Sequence, residues 1–172
     1  MDSNLTLLID ADAIALKIKE AAMQIESDYR GEPLVIVTVM KGALCLVADL
    51  IRKIQLPLTV EYVQCSSYQG TWRGDLEIIG LDRLNIQHRN VLIVDDIFDS
   101  GHTLFLLIEA LKRKHPGSIR SLVLLSKNVP RQFDYRPDYV LFSIENLFVV
   151  GFGLDHEERY RNLPGIYVYG EP

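Results

Sequence analysis

Hydrophobic residues in this chain fall into two patterns, compact apolar runs and stripes spaced at intervals of three or four. Ile14, Ile18, Ala21, Ile25 and Tyr29 form the first stripe, with Asp10 or Asp12 in the capping position ahead of it and Gly31 behind, and they predict an amphipathic helix. The unbroken run over 34–40 predicts a buried strand and Lys41-Gly42 a tight turn, while Leu44, Val47, Leu50, Ile51 and Ile54 mark one side of a helix over 43–54. Residues 58–65 alternate as a strand, and the polar, glycine-containing stretch 66–75 reads as a loop long enough to act as a lid before a short strand over 76–79. A second unbroken run, 90–94, ends in two carboxylates and leads through a turn into a helix over 104–111. Strands over 121–126 and 139–142 follow, with Pro130 and Pro137 confining the connection between them. Strands alternating with helices predict a mostly parallel sheet covered on both faces, an α/β arrangement without internal repeats.

The turn after the 90–94 run carries the most specific chemistry. Ser100, Gly101 and Thr103 are small or hydroxylated, so backbone N–H groups at the start of the next helix can converge on an anion, and His102 adds its own N–H. Asp95 and Asp96 stand at the carboxyl end of the strand, where an open parallel sheet places ligands. Two carboxylates beside a phosphate cradle would repel it unless they serve hydroxyls or a metal, and a ribose diol with Mg²⁺ meets that condition. Asp99 would sit over the edge of the cradle as an acid–base group for the anomeric carbon. A plainer reading makes all three acids solvated turn residues, with Asp99 or Ser100 capping the helix.

Composition narrows the field. At 172 residues, with 48% hydrophobic and 24% charged residues, the chain fits one soluble domain. A net charge of -5 argues against a nucleic-acid partner, which normally meets a basic face. Cys45 and Cys65 each lie in an apolar stretch and read as reduced core residues of a cytosolic protein, and the four histidines show no metal-ligand spacing. No signal peptide and no membrane span are expected.

The string VLIVDDIFDSGHTL over 91–104 resembles the ribosyl-phosphate-binding signature of the purine phosphoribosyltransferases. The hypoxanthine-guanine branch is the one it resembles most, because MKGALCLVADLIR at 40–52, SSY at 66–68, LLSKNVPR at 124–131 and LFVVGFGLDHEERYRNLP at 147–164 match in the same order. This resemblance implies a type I phosphoribosyltransferase fold, a mostly parallel twisted sheet flanked by helices, in a single domain over 1–172. The N-terminal segment and roughly 147–172 would form a small hood over the base. It implies a purine-salvage enzyme that moves the phosphoribosyl group of phosphoribosyl pyrophosphate onto hypoxanthine or guanine with Mg²⁺, as a cytoplasmic homodimer or homotetramer.

Residue by residue, the resemblance implies ribose contacts at Asp95 and Asp96, catalysis near N7 of the base at Asp99, and the 5′-phosphate at Ser100, Gly101, His102 and Thr103. Pyrophosphate would be held by Lys41, Gly42 and Arg161, with a strained, sometimes cis, peptide at Lys41. Lys127 would donate to the 6-oxo group, Phe148 would stack on the purine and Val149 would offer its backbone. Ser67 and Tyr68 would sit at the tip of the closing loop, which looks shorter here and carries Trp72 and Arg73. Asp155, with Asp95 and Asp96, would contribute to Mg²⁺, although Asp155 and Glu158 also have the spacing of a helix capping box. Glu145, Asn146 and Leu147 depart from the proline, acid and polar residue common before the stacking ring.

Two other readings compete. VLIVDD also resembles phosphoacceptor receiver domains, but there the acidic pair lies near the start of the domain, and the 76 residues after Asp96 are too few for the remainder of such a fold. A phosphoribosyltransferase-like RNA-binding regulator would share the signature, yet is expected to show a basic surface and need not keep Lys127 or the Phe148 segment.

Overall fold

The computed structural model describes residues 4–67, 76–131 and 133–170. Its centre is a six-stranded sheet built from β2 (Leu34–Met40), β3 (Leu58–Ser67), β4 (Leu76–Ile79), β5 (Asn90–Phe98), β6 (Ser118–Lys127) and β7 (Tyr139–Ile144), in the order β4-β3-β2-β5-β6-β7. All neighbours are parallel except β3 and β4, which pair antiparallel. Alternation along the central strands sends Leu34, Ile36, Leu92 and Val94 to one face and Val35, Val37, Val91 and Ile93 to the other. Helices α1 (Ala11–Tyr29) and α2 (Leu44–Ile51) cover the first face, and α3 (His102–Lys112) covers the second. Both faces are therefore dry, which is why β2 and β5 read as unbroken apolar runs.

Asp10 caps α1 by accepting from the N–H of Ala13 at 2.8 Å, and the helix buries Ile14, Ile18, Ala22, Ile25 and Tyr29. Ala22, four residues after Ile18, takes the core position expected of Ala21. Helix α2 is shorter than its apolar stripe, stopping at Ile51. Strand β3 runs on to Ser67 because Ser66 and Ser67 pair with Glu77 and Leu76, so the start of the expected loop is sheet. The remainder of that loop, with Tyr68, lies outside the described residues.

A second, three-stranded sheet was not foreseen strand by strand. It joins β1 (Leu5–Ile9), β8 (Val149–Val150) and β9 (Ile166–Tyr169) in the antiparallel order β1-β9-β8, so the two ends of the described chain meet.

The end of the molecule away from the β5–α3 turn is held by a polar cluster. Asp28 Oδ2 accepts from Tyr139 at 2.6 Å and from Arg120 at 2.7 Å, and the Arg120 guanidinium lies over the Tyr29 ring. The Tyr139 bond first, then a bond from Gln24 and the Arg120 charge, hold the Asp28 carboxyl below its ordinary range against an opposing effect of burial. Asp28→Ala is expected to destabilise the fold by about 1–3 kcal/mol, because two donors lose a charged acceptor. A folded-state value below the unfolded one adds stability that is present at neutral pH and lost as pH falls through the folded value. Urea titrations at pH 7 and at about pH 3, below the ordinary aspartate value of 3.8, should show the difference between wild type and variant shrinking in acid; an equal difference at both would remove Asp28 ionisation from the account.

Candidate active site

Strand β5 and helix α3 meet in the acidic turn, which lines a cleft of about 150 Å³ with Asp95, Asp99, Ser100, Gly101, His102 and Thr103. Gly101, with φ +84°, occupies the position before α3, and no side chain caps the helix there. The leading N–H groups of an eleven-residue helix thus open onto the cleft. Neither Asp99 nor Ser100 acts as the helix cap, although the Ser100 hydroxyl lies 3.4 Å from the N–H of His102.

Asp95 is buried and its carboxylate accepts from the N–H of Asp96 at 2.9 Å. Burial first, and the Asp96 carboxylate beside it second, push the Asp95 carboxyl well above its ordinary range. Burial also raises Asp96. The Asp96 carboxylate packs against Gly42, where any Cβ would overlap it. Burial likewise lifts the Cys65 thiol to about 12, with Asp95 adding to the shift, so that cysteine is not a nucleophile at neutral pH.

The turn after β2 carries Lys41 and Gly42, and the Met40–Lys41 peptide is cis. Lys41 Nζ lies 3.1 Å from Glu158, while Arg161 reaches Asp155 at 2.9 Å, Glu158 at 3.3 Å and the carbonyl of Gly153 at 2.8 Å. Arg161 Nε is buried and has no hydrogen-bond partner. Gly153, with φ +103°, packs so closely that a Cβ there would strike the carbonyl of Gly42. The segment 155–161 thereby brings Arg161 and Lys41 together around the one carboxylate they share, that of Glu158.

The capping-box spacing is only half fulfilled. Asp155 Oδ2 does accept from the N–H of Glu158 at 2.9 Å, but no helix follows. Glu157, Glu158 and Tyr160 all adopt positive φ, which breaks helical geometry, and the segment folds as an irregular loop.

At the end of β6, Lys127 is 12% exposed and its Nζ lies 3.4 Å from Asp99 Oδ2. Lys127, Ser126, Asn128, Arg131, Ser143, Ile144 and Glu145 line a neighbouring cavity of about 190 Å³. Phe148, just before β8, is 51% exposed and meets His156 and Tyr169 edge-on, at 5.4 and 5.9 Å between ring centres. It is not a core aromatic. Val149 is buried and pairs with Val168. Ser67 ends β3.

Several of these participants lie in or beside the matched segments without a role that the sequence assigns them. Glu158 was read only as half of a cap, and nothing in the pattern marks Arg131 as the residue that joins the ends of β5 and β6. His156 and Tyr169, which flank Phe148, belong to segments without helical or strand periodicity.

No group of three or more histidines, cysteines, aspartates or glutamates that could hold a metal ion occurs among the described residues. Mg²⁺ suits such a place nonetheless, because it keeps water and substrate phosphate oxygens as ligands and takes only one or two carboxylates from a protein. Buried Asp95 and its half-buried neighbour Asp96, both with raised affinity for protons, are a donor set of that kind.

The phosphoribosyl transferase domain profile matches residues 6–157. The hypoxanthine-guanine phosphoribosyltransferase of Bacillus subtilis is 38% identical over 164 residues, covering 94% of this chain and 91% of that protein. The Bifunctional protein TilS/HprT of Listeria monocytogenes is 38% identical over 162 residues, and this chain spans about a quarter of its length, 25%. A crystal structure of a hypoxanthine-guanine phosphoribosyltransferase from Bacillus anthracis, with a HEPES molecule in its active site, superposes with a TM-score of 0.88 at 38% identity, covering 95% of each chain. The acidic turn with its uncapped helix start, the two cations around Glu158 and the Lys127–Asp99 contact thus sit in a chain that belongs to the hypoxanthine-guanine phosphoribosyltransferase family.

Proposed function

We infer that this protein is a purine-salvage enzyme that transfers the 5-phosphoribosyl group of phosphoribosyl pyrophosphate to hypoxanthine or guanine, releasing pyrophosphate. The observation that carries the reading is the 3.4 Å approach of Lys127 Nζ to Asp99 Oδ2 beside the phosphate cradle. A 6-oxopurine carries O6 and N7 side by side on one edge, so a cationic donor next to a carboxylate matches that edge. Adenine presents an amino group where Lys127 needs an acceptor.

Within this reading, the N–H groups over 100–103 hold the 5′-phosphate, and Asp95 and Asp96 orient the ribose hydroxyls. Lys41 and Arg161 receive pyrophosphate, for which the unpartnered Arg161 Nε is a ready donor. As N9 of the base bonds to C1′, the C1′–O bond to pyrophosphate breaks, its electron pair leaves with pyrophosphate, and the N7 proton passes to Asp99. Half-exposed Phe148 stacks on the base, next to the backbone of Val149, and the small sheet with 147–172 serves as the hood. Asp155, Asp95 and Asp96 are the carboxylates available to Mg²⁺, which would supply charge neutralisation for the leaving group.

A homodimer or homotetramer is proposed from an apolar groove of about 310 Å³ between α2 and β3, lined by Met40, Leu44, Val47, Ile51, Val60 and Tyr62. Leu44 is 53% and Tyr62 61% exposed, so large apolar side chains stand open to solvent along this groove. No helix among the described residues is long and apolar enough to cross a membrane, and two free cysteines suit a reducing, cytoplasmic setting. The RNA-binding alternative finds no support, since the relatives carry enzyme names.

The experiment is steady-state kinetics with phosphoribosyl pyrophosphate and hypoxanthine, guanine or adenine, in wild type and Lys127→Met. Wild type should use the two 6-oxopurines and barely use adenine. Losing a charged donor is expected to cost about ten- to a hundred-fold in kcat/KM with hypoxanthine, equivalent to roughly 1.5–3 kcal/mol. Adenine should change little or improve; a uniform loss on all three bases would show that Lys127 supports the fold and does not read the base.

A further inference from the structure

Strands β5 and β6 pair as far as Phe98 and Ser126, and their ladder stops there. The two side chains on which the base reading above depends, Asp99 and Lys127, stand one residue beyond that limit, where no strand pairing fixes them against each other. Arg131 closes this gap. One of its terminal nitrogens donates to the carbonyl of Asp99 at 2.6 Å and lies 3.4 Å from that of Phe98, and the other donates to the carbonyl of Lys127 at 2.7 Å and the hydroxyl of Ser126 at 3.1 Å. The guanidinium carbon lies 4.4 Å from the centre of the Phe98 ring, so the fork is seated on a face as well as tied at both prongs. Two residues on, Phe133 stacks on Phe105 of α3 at 4.4 Å and meets His102 at 5.6 Å, which clasps the connection after β6 over the acidic turn.

We propose that Arg131 is a positioning residue that sets the distance between Asp99 and Lys127, and hence the fit of the O6–N7 edge of the base. A planar guanidinium can bridge two carbonyls at fixed separation; an ammonium reaches one at a time. The inference rests on the role assigned to Asp99 and Lys127 above. Arg131 touches neither base nor ribose in this scheme, and its effect must pass through those two groups.

The test compares Arg131→Gln and Arg131→Lys with wild type, and Arg131→Gln/Asp99→Asn with Asp99→Asn. Wild-type turnover with hypoxanthine tests the reading of the function; the ratio of variant to wild type tests Arg131. Both single variants are expected to lose about ten- to a hundred-fold in kcat with hypoxanthine, the scale of an ångström-sized misplacement. Binding of phosphoribosyl pyrophosphate, followed by calorimetry, should stay within about twofold because the phosphate cradle is not tied by Arg131. In the Asp99→Asn background the same Arg131→Gln change should cost less than about threefold, since residues acting as one unit are not additive. If Arg131→Gln does not fold, Arg131→Lys, which keeps charge and stem, supplies the comparison in both backgrounds. Unchanged kcat, a loss repeated in full without the Asp99 carboxylate, or a loss expressed as weakened phosphoribosyl pyrophosphate binding would each overturn the proposal.

Discussion

Asp99→Asn is expected to lower turnover with hypoxanthine by about 10²- to 10⁴-fold, the usual cost of losing a general base, while phosphoribosyl pyrophosphate binds within a few-fold of wild type. The amide keeps the size and hydrogen-bonding capacity of the side chain but cannot take the N7 proton. The variant also isolates chemistry from folding, because Asp99 is 54% exposed and does not cap α3, whose leading position belongs to Gly101. Its contact with Lys127, at 3.4 Å, is the only side-chain interaction at stake among the described residues, and the amide of Asn can still accept from the ammonium. Pre-steady-state measurement of nucleotide formation is the most direct readout, since slow product release would mask part of the effect. Normal turnover would remove the acid–base role, and a loss of only a few-fold would assign Asp99 to charge stabilisation.

Withdrawal of Mg²⁺ is expected to reduce turnover to the uncatalysed background, with full recovery when the ion is returned. The cations proposed above to receive pyrophosphate are already matched: Lys41 and Arg161 stand against Asp155 and Glu158, two positive groups against two negative ones. Asp95 and Asp96 supply no positive charge either, and their surroundings disfavour their ionisation. A polyanion entering that field gains no net attraction from the protein's charges, so a divalent ion carried with its phosphates must supply it. Turnover in chelator, followed by a Mg²⁺ titration, checks this; undiminished rate in chelator would sink the account of the carboxylates.

The parts of the fold legible in the sequence were those whose burial imposes a period. Strands β2 and β5 are covered on both faces and announce themselves as unbroken apolar runs, and α1 shows its stripe because only one side meets the sheet. Strands β1, β8 and β9 escaped because they are short and belong to a small sheet in which Leu7 and Leu8 remain exposed, so neither alternation nor continuity develops. The acidic turn was readable because its chemistry needs contiguous residues. Glu158 and Arg131 were not, since each acts on residues more than thirty positions away, Lys41 for the one and Asp99 for the other, and sequence spacing holds no record of that. The Asp155 and Glu158 pair shows the opposite error, a local motif whose hydrogen bond forms while the helix it ordinarily starts does not.

The stacked approach of Gly153 to the carbonyl of Gly42, and of Gly42 to the carboxylate of Asp96, bears on how such a protein can be re-engineered. Three segments far apart in the chain share one close-packed seam in which both glycines have no side chain to trim, so none can be exchanged alone. A chimaera that imports only the loop around Gly153 from a relative with another base preference would have to match the backbone path at 40–42 to within a few tenths of an ångström. The smallest transplantable unit is therefore the three segments together, whereas Glu145, Asn146 and Leu147, which stand outside the seam, are the positions where diversity can be introduced one residue at a time.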